Sequence, residues 1–238
     1  MTTITISRQT GSGGDEIAHR LCEILGYRAF DKHMLAQAAA LSGFSEQEVI
    51  DYSEENYKVR SFLDRLFNRS VPLATMRVWE EDTGGILTAE DLKLSEEMAL
   101  KLVQKAIHSA HHTGKLVIVG RGGQSILKDV TDVLHVRIEA PLEDRIQRVK
   151  EQNRQVRRSF NASIDLRREA QNWIVRRDEA SADYLKRFYN IDWADPMLYH
   201  VVINTGKLSL EQAARTIASM AQVSGTQIET AEAESKQN

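Results

Sequence analysis

The sequence predicts an α/β fold in which a parallel central sheet carries helices on both faces. Short apolar strands alternate with amphipathic helices along the chain, the pattern of such a sheet. The run Leu116–Val119 is apolar at every position, as a parallel strand covered on both faces must be. The first strand also enters its helix through a glycine-rich turn, Gly11-Ser-Gly-Gly14. A chain of 238 residues suits one domain with sizeable insertions.

Ile4 to Ser7 alternates as a strand, and Gly13 to Leu25 follows as a helix with Ile17, Leu21, Ile24 and Leu25 on one face. Gly26 ends that helix, and Tyr27 to Phe30 makes a short second strand closing on Asp31. From Lys32 to Gly114 helical patterns dominate and no strand is expected; Ser42-Gly43, Pro72 and Thr83-Gly84-Gly85 interrupt them. After Leu116–Val119 comes a second apolar strand, Val133 to Ile138, then a helix opening at Pro141 with Leu142, Ile146 and Val149 on one face. An arginine-rich stretch runs from Arg145 to Arg187, in which Arg145, Arg148 and the cluster from Arg154 to Arg158 equally suit a solvated helical face. His200 to Ile203 forms the last strand, and Ser209-Leu-Glu-Gln212 is a capping box for a final helix. From about Ser224 the chain is polar, acidic and aperiodic, and disorder is expected there. The folded domain thus covers 1–223 and the tail 224–238.

Hydrophobic residues at 42% and charged ones at 27% are ordinary globular values. A net charge of −3 argues against a nucleic-acid partner, and no apolar run is long enough to span a membrane. The single cysteine, Cys22, excludes an internal disulfide and reads as a small apolar residue of the first helix. A soluble, reduced, cytoplasmic protein is expected. His108, His111 and His112 share a helix face without an acidic or cysteine partner in register, so no metal site is assigned.

Ligands of parallel sheets sit at the carboxyl ends of the strands. Those ends carry Arg8–Gly14, Asp31, Gly120-Arg-Gly-Gly123 and Asn204-Thr205. A phosphate-binding loop reads G-x-x-x-x-G-K-[ST], with backbone N–H groups around the phosphates and a lysine reaching them. In that register Arg8 stands at the first glycine, Gly13 at the second, Gly14 at the lysine and Asp15 at the hydroxyl residue. The cradle is present, and its cation and hydroxyl are missing. A dinucleotide fingerprint is the competing reading; it fails at Glu16, although Asp31 stands near where a ribose-binding acid belongs. A purely structural turn is the third, and four small residues exceed what it needs. Asp15 and Glu16 suit the helix dipole but repel phosphate unless they turn away or hold its metal.

The chain resembles the cytidylate-kinase-like branch of the P-loop nucleoside monophosphate kinases, including a glycine loop without lysine. The resemblance rests on Ile6-Ser-Arg-Gln-Thr-Gly-Ser-Gly-Gly14, Phe30-Asp-Lys32, Val119-Gly-Arg-Gly-Gly123, Ala140-Pro-Leu-Glu-Asp-Arg145, Tyr184-Leu-Lys-Arg-Phe-Tyr189 and Asp192-Trp-Ala-Asp-Pro196, in family order. It covers most of residues 1–220 and is weakest over Phe44–Ser109. It implies a three-layer P-loop nucleotide-kinase fold with a helical acceptor-binding insertion at about 32–114 and an arginine-rich lid at about 150–182. It implies transfer of the γ-phosphoryl group of ATP, with Mg²⁺, to CMP, dCMP or a similar small acceptor.

Carried over by residue, Gly11, Ser12, Gly13, Gly14, Asp15 and Glu16 hold the donor, with Arg8 as the substitute for lysine. Asp31, Arg121, Asp183 and Arg187 face the acceptor, and Arg177-Asp178 resembles the start of the motif to which Asp183 and Arg187 belong. Arg154, Arg157 and Arg158 stand where lid arginines are expected. Arg8, Arg121, Arg154 and Arg158 are the charge-stabilising set. Gly122 replaces the acid of the Gly-Arg-Asp motif, and the spacing from Asp178 to Arg187 is looser than the family pattern. Ser12, Asp15, Glu16 or water alone are left for magnesium. The same residues also fit a nucleotide-binding sensor with little catalysis, or a kinase of another small molecule; the oligomeric state is not legible.

Overall fold

A computed structural model describes residues 3–31, 34, 74–81, 87–94, 96–156 and 166–235. The strands are β1 (Thr3–Arg8), β2 (Arg28–Ala29), β3 (Ala74–Glu81), β4 (Leu87–Leu94), β5 (Leu116–Val119), β6 (Val133–Glu139) and β7 (Val201–Asn204). The helices are α1 (Gly14–Leu25), α2 (Glu96–His112), α3 (Gly123–Ile126), α4 (Leu142–Val156), α5 (Leu166–Tyr189) and α6 (Leu210–Ser235), with a 3₁₀ turn at Pro196–Leu198. Five strands form a parallel sheet in the order β2–β5–β1–β6–β7. The expected α/β architecture is present.

Strand alternation sorts the two faces. Ile4 and Ile6 of β1 and Leu134, Val136 and Ile138 of β6 pack with Ile17 and Leu21 of α1 and Ala214 and Ile217 of α6. Leu116 and Ile118 turn the other way, against Leu102, Val103 and Ile107 of α2. Two helical layers therefore enclose the sheet. Ser209 and Gln212 cap α6 reciprocally, Ser209 N donating to Gln212 Oε1 at 3.0 Å and Gln212 N to Ser209 Oγ at 3.2 Å.

Five other positions of β1 and β6 form a buried polar stripe that the apolar pattern does not announce: Thr3, Thr5, Ser7, His135 and Arg137. Burial of such groups requires partners. Thr5 Oγ1 lies 2.7 Å from His135 Nδ1, and Trp193 Nε1 donates to Ser7 Oγ at 2.8 Å. Arg137 donates to the Trp193 carbonyl at 2.6 Å and to Glu139 at 2.6 Å, with its guanidinium over the Trp193 and Tyr199 rings. The Asp192–Pro196 segment is thereby tied to the floor of the sheet.

Burial, and then the neighbouring His200, lowers the pKa of His135 to about 4; a Leu127 carbonyl pulls weakly the other way. Between pH 6.5 and about 4 the unfolded chain binds a proton that the folded chain refuses. Stability is therefore expected to fall as pH falls through that window, by up to about 3 kcal/mol, and to level off below it. Melting temperatures of the wild type and His135→Gln between pH 7 and 4 check this. The variant should show the shallower slope, and parallel slopes would locate the acid sensitivity elsewhere.

Two expectations are corrected. The stretch from Lys32 to Gly114 is not helical throughout, because β3 and β4 pair antiparallel from Ala74↔Leu94 to Glu81↔Leu87. Thr75, Val78, Trp79 and Thr88 favour the extended chain, and the period-2 signal is short enough to be lost among helical patterns. The segment from Ser224 is helical to Ser235 rather than disordered. It lacks proline, and Gln227, Glu229 and Ala231–Glu234 are good helix formers. Of the proposed insertion, residues 35–73 lie outside the described residues.

Candidate active site at the glycine turn

The carboxyl ends of the strands gather the four loops expected there. Gln9 N donates to Ile138 O at 3.0 Å, Gly120 N to Ile6 O at 2.9 Å, Phe30 N to Val117 O at 2.8 Å and Thr205 N to Glu139 O at 2.9 Å. Each loop is thus hydrogen-bonded to the neighbouring strand.

Three successive carbonyls of the glycine turn are held from outside. Arg145 donates to Thr10 O at 3.4 Å, Arg148 to Gly11 O at 3.3 Å, and Thr205 Oγ1 to Ser12 O at 2.7 Å. Arg148 also holds Thr205 through its hydroxyl at 3.0 Å and its carbonyl at 2.8 Å. Asp178 of α5 accepts from Thr10 N at 2.8 Å and pairs with Arg145. Arg145 is buried, so it is not on a solvated face. The sequence offered one signal for these roles: Arg145 and Arg148 flank Ile146 and Val149, the apolar stripe that seats α4.

With its carbonyls held, the turn delivers Gly13 as the N-cap of α1 at φ 86°, with no side-chain cap. The first N–H groups of a helix have no intrahelical acceptor, and the helix dipole places partial positive charge there. Ser12 is fully buried and its Oγ has no partner. The free amides and the dipole suit a polyphosphate, whose oxygens would accept from those amides, while the Ser12 hydroxyl stays beneath the surface.

The missing lysine has a structural counterpart. A Cβ at Gly14 would lie 2.6 Å from Arg8 Cβ and 2.8 Å from Arg8 Cγ. The arginine stem therefore crosses the space directly above the lysine position, and only glycine admits it. Arg8 Nε and Nη2 each lie 3.1 Å from Asp15 Oδ1. Glu16 is met by Arg20 at 2.7 Å, and Arg20 reaches on to Glu211 at 2.6 Å. Glu16 first, then Glu211, raises the Arg20 pKa above its ordinary value. Both first-turn carboxylates thus carry guanidinium partners, which lessens their repulsion toward an anion. Among the described residues no group of three or more His, Cys, Asp or Glu side chains could hold a metal ion. Magnesium held chiefly by phosphate oxygens and water needs no such cage.

A cleft of about 490 Å³ opens beside the turn. Its walls are Arg8 to Gly11 and Gly13 to Glu16 on one side, Arg148, Glu151 and Gln152 of α4, and Trp173, Arg177 and Ser181 of α5. A second cavity of about 520 Å³, between α3, the end of α5 and His200, shares no lining residue with it. The cleft is the better candidate, because it is lined by the glycine turn and the uncapped first turn of the twelve-residue α1.

The other expected site residues are spread along the same edge. Arg121 takes a left-handed φ of 59°, costly for a side-chain-bearing residue, and is buried with its guanidinium 4.8 Å from the Phe30 ring. Asp31 is exposed and accepts from Met34 N at 3.0 Å. Asp183 and Arg187 lie one turn apart on α5 and do not line the cleft; Arg187 is exposed beside Phe188. Arg154 lies on α4, its side chain outside the described residues, as are Arg157 and Arg158 altogether. No helix among the described residues is long and apolar enough to cross a membrane.

Known proteins resemble this chain in sequence and in fold. A cytidylate kinase from Methanosarcina barkeri is 30% identical over 113 residues, 48% of this chain and 57% of that enzyme. The chain thus spans little more than half the length of that relative. An uncharacterised protein from Eubacterium ventriosum shares the fold, with a TM-score of 0.58 and 17% identity over 93% of this chain and 99% of the other. The family model described as the cytidylate kinase-like family matches residues 3–207. The glycine turn, the Arg121 turn and β7 all fall within that match, and the chain belongs to the cytidylate kinase-like family.

Proposed function

We propose that this chain is a nucleoside monophosphate kinase that transfers the γ-phosphoryl group of ATP to CMP, dCMP or a similar small acceptor. Membership of a kinase-like family supports a phosphotransferase acting on nucleotides. The observation that carries the phosphoryl-transfer reading is the Arg8 side chain laid across Gly14 at an uncapped helix end, while the cytidine acceptor rests on the family resemblance. Phosphoryl transfer needs alignment and charge neutralisation rather than a covalent nucleophile. The amides of Gly13 to Glu16 would receive the donor phosphates, with Gly11 and the buried Ser12 shaping the turn that presents them. Arg8 would supply the charge that a lysine supplies elsewhere, in a forked form suited to two oxygens. Magnesium, arriving with the nucleotide, would neutralise phosphate charge, with Asp15 at hand. Arg121, Asp31, Asp183 and Arg187 are assigned to the acceptor, and Arg154 and Arg158 to the lid. The cytoplasm is the compartment in which both substrates are at hand.

The Arg8–Asp15 pair favours one second reading. An arginine held by a carboxylate offers less charge to phosphate, as in a nucleotide sensor with little turnover. Purified protein with Mg²⁺ and ATP, assayed against CMP, dCMP, UMP, AMP, GMP and non-nucleotide alcohols, separates the cases. Turnover of CMP or dCMP is the expected result. ATP binding without turnover of any acceptor would favour the sensor, and turnover of a non-nucleotide alone would overturn the cytidine assignment.

A further inference from the structure

Trp173, Arg177 and Ser181 recur at i, i+4 and i+8 on α5, and all three line the cleft beside the glycine turn. On a helix that spacing is a single stripe. The helix is anchored to the turn next to Arg177, because Asp178 accepts from Thr10 N within the turn at 2.8 Å. Trp173 lies farther out, about 6 Å along the helix axis from Arg177 at ~1.5 Å per residue. It is 44% exposed, although large aromatics are usually covered. The Arg177 guanidinium carbon sits 4.7 Å from the Trp173 ring centroid. A cation over an aromatic face holds the ring in place. Exposure therefore marks a ring that is positioned, with surface left to offer.

We propose that Trp173 is the stacking platform for the nucleobase of the phosphoryl donor, with Arg177 as the residue that positions it. This rests on the glycine turn holding the donor's phosphates, as set out above. With the polyphosphate chain at the helix end, the nucleoside extends out of the turn along the cleft, and the α5 stripe runs in that direction. An indole face recognises any base by its π-surface and reads no hydrogen-bonding edge. Purine donors, with the larger ring, then bind better than pyrimidine donors, and ATP and GTP are accepted alike. Removing the platform weakens the donor's nucleoside half and leaves its phosphate half untouched.

Binding of ATP and of inorganic tripolyphosphate, each with Mg²⁺, to the wild type, Trp173→Ala and Trp173→Phe tests this by calorimetry. Stacking of one base on an aromatic ring is worth roughly 5- to 150-fold in affinity. Trp173→Ala should weaken ATP by about that factor and leave tripolyphosphate within twofold, and Trp173→Phe should recover most of the loss. Unchanged ATP affinity in Trp173→Ala would overturn the platform while leaving the kinase reading intact. Equal weakening of ATP and tripolyphosphate would overturn it as well, because the defect would then lie in the turn. Failure of the wild type to bind either probe would remove the kinase reading, and the platform with it.

Discussion

Arg8→Ala is expected to lower phosphoryl transfer about hundredfold while shifting the melting temperature by no more than a few degrees. One preorganised donor aimed at developing charge is worth ~3 kcal/mol, and ~1.4 kcal/mol is a factor of ten in rate. Arg8 is the cation whose stem crosses the lysine position, and its side chain is 11% exposed, so water screens it little. Its stability contribution is small by contrast. The Asp15 side chain that it meets is 76% exposed, and pairs with an exposed member are worth at most about 1 kcal/mol. The test is therefore a large change in kcat with a small change in Tm. Arg8→Lys should fall between, keeping the charge and losing the fork. A loss below threefold in Arg8→Ala would leave the charge unassigned.

Gly14→Lys restores the residue that phosphate-binding loops usually carry, and it is expected to damage this one more than Arg8→Ala does. The new Cβ would meet Arg8 Cβ at 2.6 Å. That contact lies next to the backbone of a central strand, where the neighbour has no freedom to swing away. Overpacking of this kind costs about 1–3 kcal/mol, and a second cation would crowd the guanidinium. Transfer should fall by well over a hundredfold, with a Tm loss of several degrees. Gly14→Ala separates the two causes, since it adds the clash without the charge. Activity equal to wild type in Gly14→Lys would mean that the Arg8 stem moves aside at no cost.

Much of the sheet was legible because apolar strands buried on both faces carry a dense signal, as at Leu116–Val119 and Val133–Ile138. The glycine turn and the α6 capping box were legible because backbone requirements restrict residue type. The polar stripe of Thr3, Thr5, Ser7, His135 and Arg137 was not, since its burial depends on partners more than a hundred residues away in sequence, such as His135 for Thr5 and Trp193 for Ser7. Arg145, Arg148 and Asp178 were hidden for a related reason. A charged helical residue looks the same whether it faces water or a loop carbonyl, and only tertiary contact decides. Asp15 and Glu16 posed a sign problem in the sequence, and Arg8 and Arg20 resolve it in space. Trp173 is hidden likewise, because its exposure on the cleft wall cannot be read from spacing.

The substitution of arginine for lysine within this turn is tested most directly by the turnover of Arg8→Ala/Gly14→Lys beside each single variant. Removing the arginine stem vacates the space that the lysine needs. The double variant is therefore expected to transfer phosphoryl groups at least tenfold faster than Gly14→Lys alone, with recovered Tm. A double variant as slow as the product of the two single losses would contradict a shared position for the two side chains.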